Sequence, residues 1–219
     1  AYNRFTATFS YQEALYMIPR SYPGIVRYDT ETEELRIIDG WIEELDRHVS
    51  EDCRREPYFI WAVRQEGNML YMASSKCDVW MEYDMDKDDW TVRHMNLPGK
   101  RFVGMVKDGN QVWLFPYCGE EVILWNRESG DSRVVHRTLK RETRNSPYVN
   151  GVDLGDRIVA FPQQWTDHFL VMRKPAIPEG RLEESGCGDG AKPGRGALEE
   201  AEEVRRLPCG EKAYLSEYL

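Results

Sequence analysis

The chain has 219 residues, 41% of them hydrophobic and 12% aromatic, with a formal net charge of −9. That length supports one large or two small domains with a real core. It holds no apolar run of about 18 residues or more, the length a membrane-spanning helix needs, and its acidic balance argues against a general nucleic-acid binder.

The chain opens on "AYNRFTATFS", which has neither a basic leader nor an apolar stretch of signal-peptide type. "RFTATFSY" (4–11) alternates as a half-buried strand does, and "ALYMIP" (14–19) follows it. A third strand ends at Tyr28-Asp29, and "ELRII" (34–38) is a fourth. In the link that comes next, "WIEELDRHV" (41–49) predicts a short helix. The pattern then starts again. Leu15, Tyr16 and Met17 fall on Leu70, Tyr71 and Met72 at an offset of 55, and Tyr28 and Asp29 fall on Tyr83 and Asp84 at the same offset. A further 42 residues on stand Val112, Trp113 and Leu114, with Trp125 and Asn126. A fourth copy starts at Ile158, offset 46, and its second half slips by one so that Met172 takes the place of Trp125. Pro19, Ser74, Pro116 and Pro162 share one column, at the end of the second strand, where proline is tolerated. The first strands of the later copies are "YFIWAVRQ" (58–65), "RFVGMVKD" (101–108) and "YVNGVDL" (148–154). Asp29, Asp84 and Asn126 each close a third strand, where their side chains can bond the backbone two residues on and start a turn. The fourth strands are "DWTVRH" (89–94) and "DSRVVH" (131–136); the last copy has no evident outer strand.

Four short strands per 42–55 residues, repeated, predict an all-β chain of four-stranded antiparallel blades in β-propeller fashion. The apolar second strand, the aromatic-Asp turn and Trp90 after it resemble the kelch-like and galactose-oxidase-type propellers, over residues 4–173. The Gly-Gly doublet of kelch repeats is absent; Ile18-Pro19, Ala73-Ser74 and Phe115-Pro116 stand there. The expected propeller domain is 1–173, with blades at about 4–38, 58–94, 101–136 and 148–173. Three ring states are open: a four-blade segment of a larger ring, a closed four-blade ring, and two chains completing a ring together. The tail, 174–219, reads as a flexible Gly/Pro-rich linker and then a helix, "ALEEAEEVRRL" (197–207), with acidic residues early and arginines late.

In such a blade the loop after the second strand shares a face with the link between blades. That face gathers Arg20, Tyr22, Lys76, Tyr117, Glu120, Gln163, Trp165 and His168, a set of aromatic planes beside polar groups that suits a sugar or a peptide anchor. Trp61, Trp80, Trp90, Trp113 and Trp125 are expected to pack within and between blades. Glu120, Glu121, Asp167 and His168 are the one candidate acid/base set, and Cys77 and Cys118 are candidate thiols at the same mouth. The five cysteines are odd in number and form no C-x-x-C pair, which predicts free thiols in a reducing, cytoplasmic compartment. The four histidines are scattered, so neither a metal nor another cofactor is expected. The basic run "HRTLKRETR" (136–144) reads as a solvated segment. The reading these features favour is a non-catalytic recognition or scaffold module for a protein or glycan partner. The alternative is a propeller lyase or hydrolase acting on a polar or sugar-like substrate at the axial mouth.

Overall fold

Short alternating strands joined by tight turns pair most simply with their sequence neighbours, and the chain does so four times over. The computed structural model describes residues 4–54, 59–138, 146–163, 168–174 and 205–208. The first sheet is β1 (Phe5–Tyr11), β2 (Ala14–Pro19), β3 (Ile25–Asp29) and β4 (Leu35–Ile38). The second is β5 (Ile60–Glu66), β6 (Met69–Ser74), β7 (Val79–Asp84) and β8 (Asp89–His94). The third is β9 (Phe102–Asp108), β10 (Gln111–Pro116), β11 (Glu121–Asn126) and β12 (Ser132–Arg137). The fourth is β13 (Tyr148–Asp153), β14 (Arg157–Pro162), β15 (His168–Arg173) and β16 (Arg205–Pro208). Each is an antiparallel meander, and every second strand ends in the Pro/Ser column. Two helices, α1 (Gly40–His48) and α2 (Glu51–Arg54), occupy the first link.

The repeat extends to atomic detail. Asp29, Asp84 and Asn126 each accept, on one side-chain oxygen, the backbone N–H groups two and three residues on, at 2.9–3.2 Å. The first hairpin turn places Gln12, Gly67, Gly109 and Gly155 in one column, all with positive φ (48°, 58°, 55° and 91°). Glycine carries no steric cost there, whereas Gln12 does. Each first strand also carries a bulge at one column. The ladder skips Thr6, Trp61, Val103 and Val149, and no sequence signal marks it.

The cores lie between successive sheets. Tyr16, Ile18 and Ile25 of the first sheet meet Leu70, Met72 and Tyr83 of the second. Tyr71 and Trp80 meet Val112, Leu114 and Trp125. Trp113, Phe115 and Leu124 meet Ile158, Ala160 and Met172. The first strands are adjacent in order, β1 beside β5, β5 beside β9 and β9 beside β13. Gly104 on β9 lets β13 approach, since a Cβ there would lie 1.9 Å from the Val149 carbonyl oxygen. α1 adds Trp41 and Leu45, both fully buried, to the first core.

Two expectations are corrected. Residues 205–207, read as the end of a helix, lie in β16, which pairs antiparallel with β15 from His168↔Pro208 to Val171↔Arg205. The open edge of β15 outweighs the local helix preference of Arg and Leu. The strand that the fourth copy lacked is thus supplied from the tail; the remainder of the predicted helix and linker lies outside the described residues, apart from Lys174. Trp90 is 37% exposed on outer strand β8 and lies against Gly40 rather than in a core. Trp61, re-aimed by the bulge at its position, is partly buried and packs against the third core beside Tyr117.

Candidate functional site

A bulge re-aims the residue that the ladder skips. In β5 that residue is Trp61, and its ring turns toward the end of the sheets where the post-β2, post-β6 and post-β10 loops meet. The Arg20 guanidinium lies 3.8 Å from the centroid of the Trp61 ring. On its other side Trp61 meets Tyr117, with ring centroids 5.8 Å apart. The Arg101 guanidinium lies 4.9 Å from the Tyr117 centroid. Arg20, Trp61, Tyr117 and Arg101 thus form one row across the first three sheets, two aromatic planes flanked by a guanidinium at each end, each half-buried. Cation–π contacts of this kind are worth roughly 0.5–2 kcal/mol.

Backbone bonds fix the row. The Arg20 and Ser21 N–H groups donate to the Arg4 carbonyl, and the Phe59 N–H donates to the Arg20 carbonyl at 2.7 Å. The Tyr117 N–H donates to the Arg101 carbonyl, also at 2.7 Å. Ser146 Oγ donates to the carbonyls of Pro116 and Tyr117 (2.6 Å to the latter), tying the third link to the post-β10 loop. Lys76 is buried, its ammonium 4.3 Å from the Phe59 ring centroid. Cys53 receives a contact from Arg101 at 3.7 Å. Arg20, Lys76 and Arg101 therefore gather on one face of an acidic chain.

The structure brings Arg20, Lys76 and Tyr117 into this neighbourhood. Tyr22 stands beside it at the edge of the first sheet, 5.3 Å from Phe5 between centroids. The Glu120 carbonyl accepts the Thr138 N–H at 2.7 Å, pinning the loop. Gln163 donates its N–H to the Pro147 carbonyl, and its buried Oε1 has no hydrogen-bond donor among the described residues. His168 is buried on β15 with Nε2 3.0 Å from the Tyr148 hydroxyl. Trp165 and Asp167 lie outside the described residues, as does most of the basic run.

The local electrostatics bear on the acid/base and thiol candidates. The Lys100 ammonium, hydrogen-bonded to Glu121 at 2.7 Å, holds that carboxyl below the usual carboxylate range, with Arg137 adding to the effect. Glu121 is thus kept ionised rather than poised to give up a proton. Burial pushes the Cys77 thiol up to about 11, against a weak opposing hydrogen bond to Ser74; a thiol so placed is a poor nucleophile. Cys53, Cys77 and Cys118 are free, and Cys118 is exposed.

Sequence reasoning missed Trp61 and Arg101 as site residues. Trp61 looks like any strand tryptophan until the bulge is known. Arg101 stands one residue before β9, and only the Tyr117–Arg101 backbone bond places it. Sequence reasoning also missed that His48 of α1 and His94 of β8 converge, with ring centroids 4.0 Å apart, beside Glu44 and Asp78. Among the described residues no group of three or more metal-ligating side chains forms, and no helix is long and apolar enough to cross a membrane.

No family model matches the chain, and no curated protein matches it in sequence. Its likenesses are to solved structures. One is the extracellular domain of a protein described as a hybrid two component system from B. thetaiotaomicron, at 11% identity and a TM-score of 0.52 over 77% of this chain. The chain spans 21% of that protein's length. Another is the computationally designed Ika4 protein, at 12% identity and a TM-score of 0.51, covering 77% of this chain and 90% of the design. At such identities the likeness shows the fold alone.

Proposed function

We propose that the four sheets are blades of a kelch-like propeller, and that the chain is a non-catalytic recognition module for a protein or glycan partner. The row Arg20–Trp61–Tyr117–Arg101 carries this reading. Aromatic planes flanked by guanidinium groups give a flat apolar surface together with donors for an anionic or hydroxyl-rich group. The constant bulge and turn columns support the propeller reading, and the paired Glu121 with the buried Cys77 supports recognition over acid/base or thiol chemistry.

The test is titration calorimetry of the purified chain against a panel of acidic oligosaccharides and acidic peptides. A ligand found this way should bind roughly tenfold or more weakly to Tyr117→Ala. Arg101→Gln serves as a second variant that leaves the ring packing in place. Unchanged affinity in both variants, with the fold intact by circular dichroism, overturns the assignment of this face.

A further inference from the structure

The loops after the second strands share a backbone and differ in side chains. Arg20, Ser75, Tyr117 and Gln163 follow the Pro/Ser column, and each donates its N–H to the residue just before its own first strand, at 2.7–3.0 Å. In the next column stand Ser21, Lys76 and Cys118. Ser21 is half-buried and Cys118 is exposed, whereas Lys76 is only 5% exposed. The fold therefore accepts a small residue at this position and does not call for a lysine.

Lys76 also departs from the other described lysines. Lys87, Lys100, Lys107 and Lys174 each pair with a carboxylate at 2.5–2.8 Å. Lys76 is more buried than any of them, yet it forms no ion pair among the described residues; its ammonium lies against the Phe59 ring. Asp78, two residues on and also buried, is committed elsewhere. It accepts the Leu97 N–H at 2.8 Å and lies 3.3 Å from His94 Nδ1. A buried charge without a counter-charge is costly, and a cation–π contact offsets only part of that cost.

The loop that carries Lys76 is held firmly. Ser74 stands where the other three copies have proline, and its Oγ donates to the Phe59 carbonyl at 3.2 Å and accepts the Lys76 N–H at 3.0 Å. The neighbouring Ser75 Oγ is buried and has no hydrogen-bond partner among the described residues. Two adjacent polar side chains of one pinned loop thus lack the partners that such burial normally brings.

On the reading of this face as a recognition surface, we propose that Lys76 seats a carboxylate of the partner, the acidic side chain of a protein. One ammonium balances one carboxylate, whereas a phosphate dianion would leave a charge over. An ammonium this buried admits a carboxylate on a narrow, flexible stem, as in glutamate, rather than one fixed to a sugar ring. Arg20 and Arg101 on the same face of an acidic chain steer an acidic partner toward it.

The test is a heteronuclear magnetic resonance titration of the labelled chain with N-acetylglutamate N-methylamide. The expected result is a saturable shift of the Ser75 and Lys76 amide signals. The glutamine counterpart, glucuronate and inorganic phosphate should each bind roughly tenfold or more weakly, as the loss of a charge partner or a poorer fit requires. Lys76→Met keeps the stem and removes the charge. It should weaken the probe by roughly tenfold or more, yet melt no lower than wild type, since an uncompensated charge is gone. Tyr117→Ala should keep the probe, which has no ring face to stack, so this test and that of the aromatic row fail separately. Equal binding of the glutamine counterpart, tighter binding of glucuronate or phosphate, an unchanged affinity in Lys76→Met, or a Lys76→Met chain that melts well below wild type overturns the proposal.

Discussion

Glu82, near the end of β7, accepts hydrogen bonds from Trp80 Nε1 at 2.7 Å and Arg93 at 2.5 Å within its own sheet, and from Arg127 of the third sheet at 2.9 Å. Burial pushes its carboxyl up, but the Trp80 hydrogen bond and the two guanidinium groups outweigh that and hold it below its ordinary value. A carboxyl with a lowered folded value adds stability above its unfolded value, near 4.5, and loses it as pH falls through the folded value. Glu82→Gln should therefore lower stability by roughly 1.5–3 kcal/mol at neutral pH, the range for hydrogen bonds to a charged group. In urea titrations at several pH values, the gap to wild type should be full above about pH 5 and shrink toward pH 3. A gap that ignores pH would show that shape, not charge, matters at this residue.

Strands, bulges and turns set where such residues point. The strand ends were legible because proline and the Asp/Asn turn residues act locally, and α1 was legible from its apolar spacing. The bulges were not legible, because they answer to the fit between β1, β5, β9 and β13 rather than to any residue preference. Trp61 therefore read only as packing, and although it does pack against the third core it also stands at the centre of the candidate site. β16 was misread because Arg205–Leu207 favour a helix locally, while an unpaired edge of β15 decides the outcome. Gly104 belongs to the same set of inter-strand constraints. Gly104→Ala would bring a methyl within 1.9 Å of the Val149 carbonyl oxygen, so β9 and β13 must separate. The expected loss is about 1–3 kcal/mol or more in chemical denaturation, whereas Gly109→Ala would meet no atom within 4 Å and should cost only turn strain.

Across the whole molecule each sheet rests on its immediate neighbours, so stability is close to a sum over junctions. Trp125, fully buried between the second and third sheets, sits at the middle junction. Trp125→Ala should cost about 3–5 kcal/mol and split one cooperative melt into two, read by calorimetry as separate transitions of the two halves. A single, merely lowered transition would show that the halves remain coupled by other means. The repeat was legible at this scale because its offsets hold across separated runs. The candidate site was legible only in part, since the loops Arg20, Lys76 and Tyr117 occupy follow from topology but their mutual contacts do not.

The pairing of Arg205–Pro208 with β15 also sets an order of events during synthesis. Three sheets are complete as soon as their own strands leave the ribosome. The fourth waits with one unpaired edge while residues 175 to 204 are still being made. A nascent chain arrested in that interval would display an unpaired strand edge, the kind that recruits any extended segment nearby.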